Sequence, residues 1–211
     1  MHQPTAAPVA WETWPRRELF DFFSGMSNPF FSVTFSVDVT NLHRFAKENG
    51  VSFYYALVYL CTQAIDRVEA FHYTVRGGAL YRLETRCPSF TDLKPGAEQF
   101  HIVTIPCEGD ILDFCRAAKR ESGAQTCFIR ADAESDALIY FSCLPWVPLT
   151  ALTNERDFDA DDAIPRVAWG KFIEQDGRKT LGLSLELNHR FTDGLHIGQF
   201  YKALCERIAA L

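Results

Sequence analysis

The stretch LSLELNHRFTDGLHIGQF, residues 183–200, decides how the rest of the chain is read. Leu181, Leu183, Leu185 and Leu187 share one parity, so they line one face of a strand whose other face carries Ser184, Glu186 and Asn188. His189 continues the leucine parity. After Asp193 the period changes: Ile197, Phe200, Leu204, Ile208 and Leu211 form one apolar stripe of a terminal helix. A strand therefore hands over to a helix through His-Arg-Phe-Thr-Asp-Gly. A histidine at such a junction can be a packed structural residue, a general base at a cleft or, less readily, a metal ligand with Asp193 and His196. The strand-like residues before it and Gly194 after it break the continuous helix that a metal spacing of four and three would need.

Working outward, Asp176-Gly177 reads as the tight turn that brings VAWGKFIEQ back as the leucine strand. Gly77-Gly78 predicts a second hairpin between FHYTV and ALYRLE. Phe31 to Val39 alternate as a half-buried strand, with Thr40 and Asn41 as candidate caps of a short helix ending at Asn49-Gly50. Ser52 caps a longer helix carrying Phe53, Leu57, Leu60, Cys61 and Ala64. FHIVTIP is a further strand, ILDFCRAAKRE a helix, and Ala137 to Ser142 a strand ending in Cys-Leu-Pro-Trp. Helices and mainly antiparallel strands mix without strict alternation, which predicts an α/β two-layer sandwich with its helices on one side of a mixed sheet. Residues 1–10 read as a loose N-terminal arm and 11–211 as a single domain.

The 211 residues suffice for one large core, and 47% are hydrophobic, 23% charged and 14% aromatic. A formal charge of −6 without clustered Lys and Arg excludes a general nucleic-acid binder. No apolar run reaches the roughly 18–20 residues of a membrane span, and the first residues lack a secretory pattern. Seven cysteines without a C-x-x-C pair fit neither a disulfide framework nor a zinc ribbon; free thiols in a reducing cytoplasm are the expectation. Cys143 raises a Cys-His nucleophilic pair, against which stands the commoner buried structural thiol.

Asn-His-Arg-x-x-Asp-Gly followed by Leu-His-Ile-Gly-x-Phe resembles the C-terminal signature of the chloramphenicol acetyltransferases, usually His-His-x-x-x-Asp-Gly-x-His. WPRRELFDFF at 14–23 and FSCLPWVPLT at 141–150 resemble the family's Trp-x-Arg-(Arg/Lys)-Glu-x-Phe and Ser-x-x-Pro-Trp segments. VSFYYALVYLCTQAIDRVEAF is similar to its long first helix, so the likeness spans about residues 10–211. It implies the CoA-dependent acyltransferase fold and acetyl transfer from acetyl-CoA to a hydroxyl of chloramphenicol, with no metal.

By that resemblance His189 is the general base, and Ser142 donates to the tetrahedral oxyanion without becoming acylated. Asp193 and Arg16 form a buried salt bridge that holds the histidine turn, and Gly194 permits a close approach or an unusual backbone angle. Phe22, Phe23 and Phe100 line the acceptor pocket; Trp146, Lys171 and Phe172 line the coenzyme tunnel. The family's homotrimers place each site at a subunit interface, the histidine of one chain facing the acceptor pocket of the next.

Three positions depart from the pattern: Asn188 for the first histidine, Phe23 for a frequent tyrosine, and Ala168 for a threonine found in some members. They leave the chemistry intact and the acceptor open. Dihydrolipoyl acyltransferases share the fold and read Asp-His-Arg-x-x-Asp-Gly, but their lipoyl domain and linker have no counterpart in this chain. Acetyl transfer to another small hydroxyl compound and a trimer without activity complete the alternatives.

Overall fold

The computed structural model describes residues 5–157, 159 and 161–211. Strand β1 is Ala6–Pro8, followed by helix α1 (Arg17–Ser24), β2 (Phe30–Asp38), α2 (Thr40–Asn49) and α3 (Phe53–Ile65). The hairpin β3 (Tyr73–Arg76) and β4 (Ala79–Leu83) precedes β5 (Cys87–Asp92), β6 (His101–Thr104) and α4 (Ile111–Ala124). Then come β7 (Leu138–Leu144), β8 (Arg166–Gly170), β9 (Ile173–Gln175), β10 (Arg178–Asn188) and α5 (Gly194–Ala209).

The larger sheet runs β2-β10-β8-β7-β5-β6, with β9 paired to the start of β10. Its β5–β7 and β7–β8 pairs are parallel and the rest antiparallel, so the sheet is mixed as expected. The leucines of β10 face the helices: Leu181, Leu183, Leu185 and Leu187 pack in one core with Leu57 and Ile65 of α3, Phe114 of α4, and Phe200 and Leu204 of α5. At about 1.5–3 kcal/mol per fully buried large apolar side chain, this helix-covered face is the main source of stability.

Local signals act where they were expected. Ser52 Oγ accepts from the Tyr55 N–H and caps α3, and Gly50 closes α2 at φ 63°. Both central residues of the β9–β10 turn have positive φ, 50° at Asp176 and 77° at Gly177, as a tight two-residue hairpin requires. The start of α2 differs from expectation: Thr40 is already its first residue, and Asp38 Oδ1 accepts from the Thr40 N–H at 3.0 Å. The Thr40 hydroxyl donates to the same Asp38 oxygen at 2.6 Å, so it serves that carboxylate instead of capping the helix.

The loose arm expected at 1–10 is corrected from Thr5 onward; residues 1–4 lie outside the described residues. Ala6, Ala7 and Pro8 pair antiparallel with Leu83, Arg82 and Tyr81. The backbone groups along β4 need partners, and β1 supplies them at an edge where a proline is tolerated. Trp14, packed with Trp11, Phe20, Tyr73 and Phe191, then anchors the segment in a second small core.

The sheet face opposite the helices is covered by an irregular run, residues 145–157 with 159 and 161–165. It tracks β10 closely: Ser184 Oγ donates to Leu152 O (3.4 Å), the Asn154 N–H donates to Glu186 (2.9 Å), and Asn188 Nδ2 donates to Asp162 O (2.9 Å). Arg156 adds an ion pair to Glu186 at 2.8 Å, both side chains almost wholly buried. Two glycines make room for this cover. A Cβ at Gly182 would stand 1.9 Å from Leu149 O, and one at Gly170 would stand 2.4 Å from Leu149 N.

Candidate active site

β10 ends at Asn188, and the turn that follows is built by that residue. Its backbone oxygen accepts from the Thr192 N–H and hydroxyl, and its side-chain oxygen accepts from the Arg190 N–H at 3.0 Å. Arg16, just before α1, reaches across to the same turn. It donates to Asp193 Oδ2 (2.6 Å), and to the carbonyls of His189 (2.9 Å), Arg190 (3.0 Å) and Thr192 (3.0 Å). Four hydrogen bonds from one guanidinium hold three carbonyls and a carboxylate in fixed relation. Burial pushes the Asp193 carboxyl up, but the Arg16 hydrogen bond and the charges of His196 and Arg16 outweigh it and hold it below the usual carboxylate range. Asp193 also caps α5, accepting from the Leu195 N–H while His196 Nδ1 accepts from the Asp193 N–H.

Held in this way, the half-buried His189 stacks on Phe23 with ring centroids 3.9 Å apart and 11° between planes, and lies 4.4 Å from Phe31. Its Nδ1 is 2.9 Å from the Thr192 carbonyl oxygen. A carbonyl only accepts, so the proton sits on Nδ1 and the Nε2 lone pair is the one able to take a proton from a substrate. Asp193 is engaged with Arg16 and the helix end, and His189 Nδ1 with Thr192, so the spacing that raised a metal site serves the turn instead. Gly194 has neither the positive φ nor the close neighbour expected of it: a Cβ there would meet nothing within 4 Å. It is the first residue of α5, which any residue can occupy without strain.

Ser142 sits elsewhere. It lies on the face of β7 away from the helices, beside Ala168 of β8, and lines a cavity of about 1030 Å³ with Tyr54, Phe100, Phe128, Tyr140 and Trp146. Phe100 and Phe128, both largely exposed, meet edge to face at 5.5 Å. Cys143 is not a nucleophile in this setting, since burial pushes its thiol up to about 12. The cavity wall also carries Glu134, which accepts from the Tyr140 hydroxyl at 2.9 Å. No motif pointed to this pair.

The sheet register measures how far apart the two expected reaction groups are. Ser142 pairs with Ala168, which pairs with Ser184, so Ser142 stands level with Ser184, five residues before His189. Five strand residues span about 16 Å and two interstrand steps about 10 Å, leaving His189 roughly 19 Å from Ser142 in the same chain. Phe22 and Phe23 belong to the histidine half, their rings 5.1 Å apart; Phe100 and Trp146 belong to the serine half. The coenzyme residues are also divided. Trp146 opens onto the large cavity, whereas Lys171 lines a smaller cleft of about 290 Å³ beside Leu149 and Gly182. Phe172 packs against His43 (5.2 Å) and Phe53 (6.1 Å). A hydrogen bond from the Lys171 N–H to Val147 O (2.8 Å) joins the two groups along the covering run.

The same fold occurs in solved acyltransferases. The structure superposes on a solved chloramphenicol acetyltransferase with TM-score 0.89 at 24% identity, covering 97% of this chain and 100% of that one. It superposes on the Azotobacter vinelandii dihydrolipoamide acetyltransferase with TM-score 0.67 at 23% identity, covering 91% and 86%. Both share the CoA-dependent acyltransferase fold, and the chain is an acyltransferase. The family profile described as chloramphenicol acetyltransferase matches residues 6–205, so the chain belongs to the chloramphenicol acetyltransferase family. Two relatives are chloramphenicol acetyltransferase 3 of Escherichia coli, 26% identical over 200 residues (92% of this chain, 93% of the relative), and the Streptomyces acrimycini chloramphenicol acetyltransferase, 28% identical over 207 residues (95% and 93%).

Proposed function

We propose that the protein transfers the acetyl group of acetyl-CoA to a hydroxyl of chloramphenicol, inactivating the antibiotic in the cytoplasm. His189 Nε2 takes the proton from the acceptor hydroxyl as its oxygen attacks the thioester carbonyl. An alcohol is a weak nucleophile near neutral pH until a base removes its proton in the transition state. Ser142 then donates to the tetrahedral oxyanion, and collapse expels the coenzyme thiolate. The observation that carries this reading is the His189 turn: Arg16 and Thr192 fix the ring and its tautomer, leaving Nε2 as the acceptor.

The separation of His189 from Ser142 supports a site completed between chains. One copy supplies the histidine with Phe22 and Phe23, and a neighbour supplies Ser142 with Phe100 and Trp146. A closed homotrimer provides three such junctions. Within the serine half, Trp146 faces the acetyl-bearing arm of the coenzyme, while Lys171 and Phe172 meet its phosphates and adenine.

Thiol release from acetyl-CoA is the test, run with and without chloramphenicol. Chloramphenicol-dependent release is expected, and its absence excludes that acceptor. In His189→Ala turnover falls at least about 10²–10⁴-fold, the usual share of a general base, with an unchanged circular dichroism spectrum. Near wild-type turnover in that variant removes the base assignment.

A further inference from the structure

The wall of the Ser142 cavity holds a carboxylate that acetyl transfer does not require. Tyr140 precedes Ser142 by two residues on the same face of β7, one strand repeat or about 7 Å away. Its hydroxyl donates to Glu134 Oε2 at 2.9 Å. Burial, then the hydrogen bond and charge of Glu134, push the Tyr140 hydroxyl above its ordinary range, so it remains the donor of that bond. Glu134 Oε1 is buried and has no hydrogen-bond partner among the described residues.

Arg166 does not neutralise it. Arg166, the cross-strand partner of Tyr140, holds its guanidinium 5.8 Å from the Tyr140 ring centre. Its amino groups go to the Glu155 carbonyl and the Asp162 carboxylate, and no ion pair to Glu134 occurs among the described residues. An acceptor oxygen left unpaired in a largely apolar wall is costly, at about 1–3 kcal/mol. Glu134 lines the cavity, and the terminal torsion of a glutamate is broad, so its carboxylate is free to reorient toward a donor bound there.

We infer that Glu134 is a specificity-determining residue, selecting hydroxyl acceptors that carry an N–H donor, amine or ammonium, about one strand repeat from the Ser142 end of the cavity. This rests on the reading of that cavity as the acceptor half of the site. A group that only accepts hydrogen bonds, such as the nitro group of chloramphenicol, gains no bond from the carboxylate, so chloramphenicol is accepted but ranks below an acceptor with an amine, which satisfies the carboxylate through a charge-assisted bond. Sites built to pair with a polar substrate group discriminate strongly against analogues that cannot.

Two acceptors differing only there make the test: chloramphenicol and its analogue with the nitro group reduced to an arylamine. For each, kcat/KM is measured by thiol release and Kd by calorimetry, in wild type, Glu134→Gln and Glu134→Asp. The amine-to-nitro preference should drop about tenfold or more in Glu134→Gln, by both measures, and persist in the charge-retaining Glu134→Asp. An unchanged ratio in a folded Glu134→Gln overturns the inference, as does a wild type that binds neither compound, or the loss of preference in both variants alike. Amine-selective binding without turnover would support the specificity and count against the acetyl-transfer reading instead.

Discussion

Replacing Ser142 with alanine removes one hydroxyl from a strand position paired with Ala168 of β8, and leaves the sheet backbone untouched, so the fold should stand. If that hydroxyl meets the oxyanion, kcat falls by about 10²–10³ with little change in KM, as when a single oxyanion donor is lost elsewhere. Steady-state kinetics reads the split; a rise in KM alone would make Ser142 a binding contact. Arg16→Ala should behave differently. It strands Asp193 and releases three carbonyls, at a cost of about 3 kcal/mol, the lower end for breaking a buried pair because Asp193 keeps some solvent. In a chain of this size that lowers Tm by roughly 6–12 °C, together with activity. An unchanged melting curve would show that the turn holds itself.

At the scale of elements, what could be read from residues was whatever repeats. The leucine alternation of β10, the stripe of α5, the Asp176-Gly177 turn and the Ser52 cap are local, periodic or stereochemical signals, and the structure keeps them. The covering run has no period, because it follows β10 through backbone and single side-chain contacts instead of a repeating face. Its one trace in the sequence is a pair of glycines inside strands, Gly170 and Gly182, where a bare backbone often marks a close approach. The β1 strand escaped notice because edge pairing rewards an exposed partner, not the three residues Ala-Ala-Pro themselves. Within the site, His189, Asp193 and Arg16 stood out by motif and the structure joins them. The Glu134–Tyr140 pair could not be seen, since it depends on a loop folding back over a strand. Gly182→Ala tests the covering run: the added methyl must displace Leu149, destabilising the protein by about 1–3 kcal/mol. Thermal unfolding measures this, and an unperturbed Tm would mean that the cover lifts away freely.

For the whole molecule, the separation of about 19 Å within one chain makes a sharp prediction possible. If the site is completed between chains as proposed, His189→Ala and Ser142→Ala are each strongly impaired alone, but mixed assemblies made by co-expression contain junctions with both groups intact. If the two chains mix at random, a junction takes its histidine and its serine from suitable chains about one time in four, so close to a quarter of wild-type activity should return. Complementation of that order is expected in the co-purified mixture. Its complete absence, with mixed assemblies demonstrated by tags, would mean that each chain carries a whole site.

Arg16 and Asp193 are 177 residues apart along the chain, and that distance has a meaning in time. At about 5–20 residues per second of synthesis, the arginine is made roughly 9–35 s before the carboxylate it will hold. Until then the guanidinium has none of its four partners, all of which come from the same late turn. β10, which joins β2 to β8, is made just before that turn, so the sheet and the clasp are completed late and together. The clasp between an early arginine and a late aspartate lets the turn set only after nearly everything it depends on has been made.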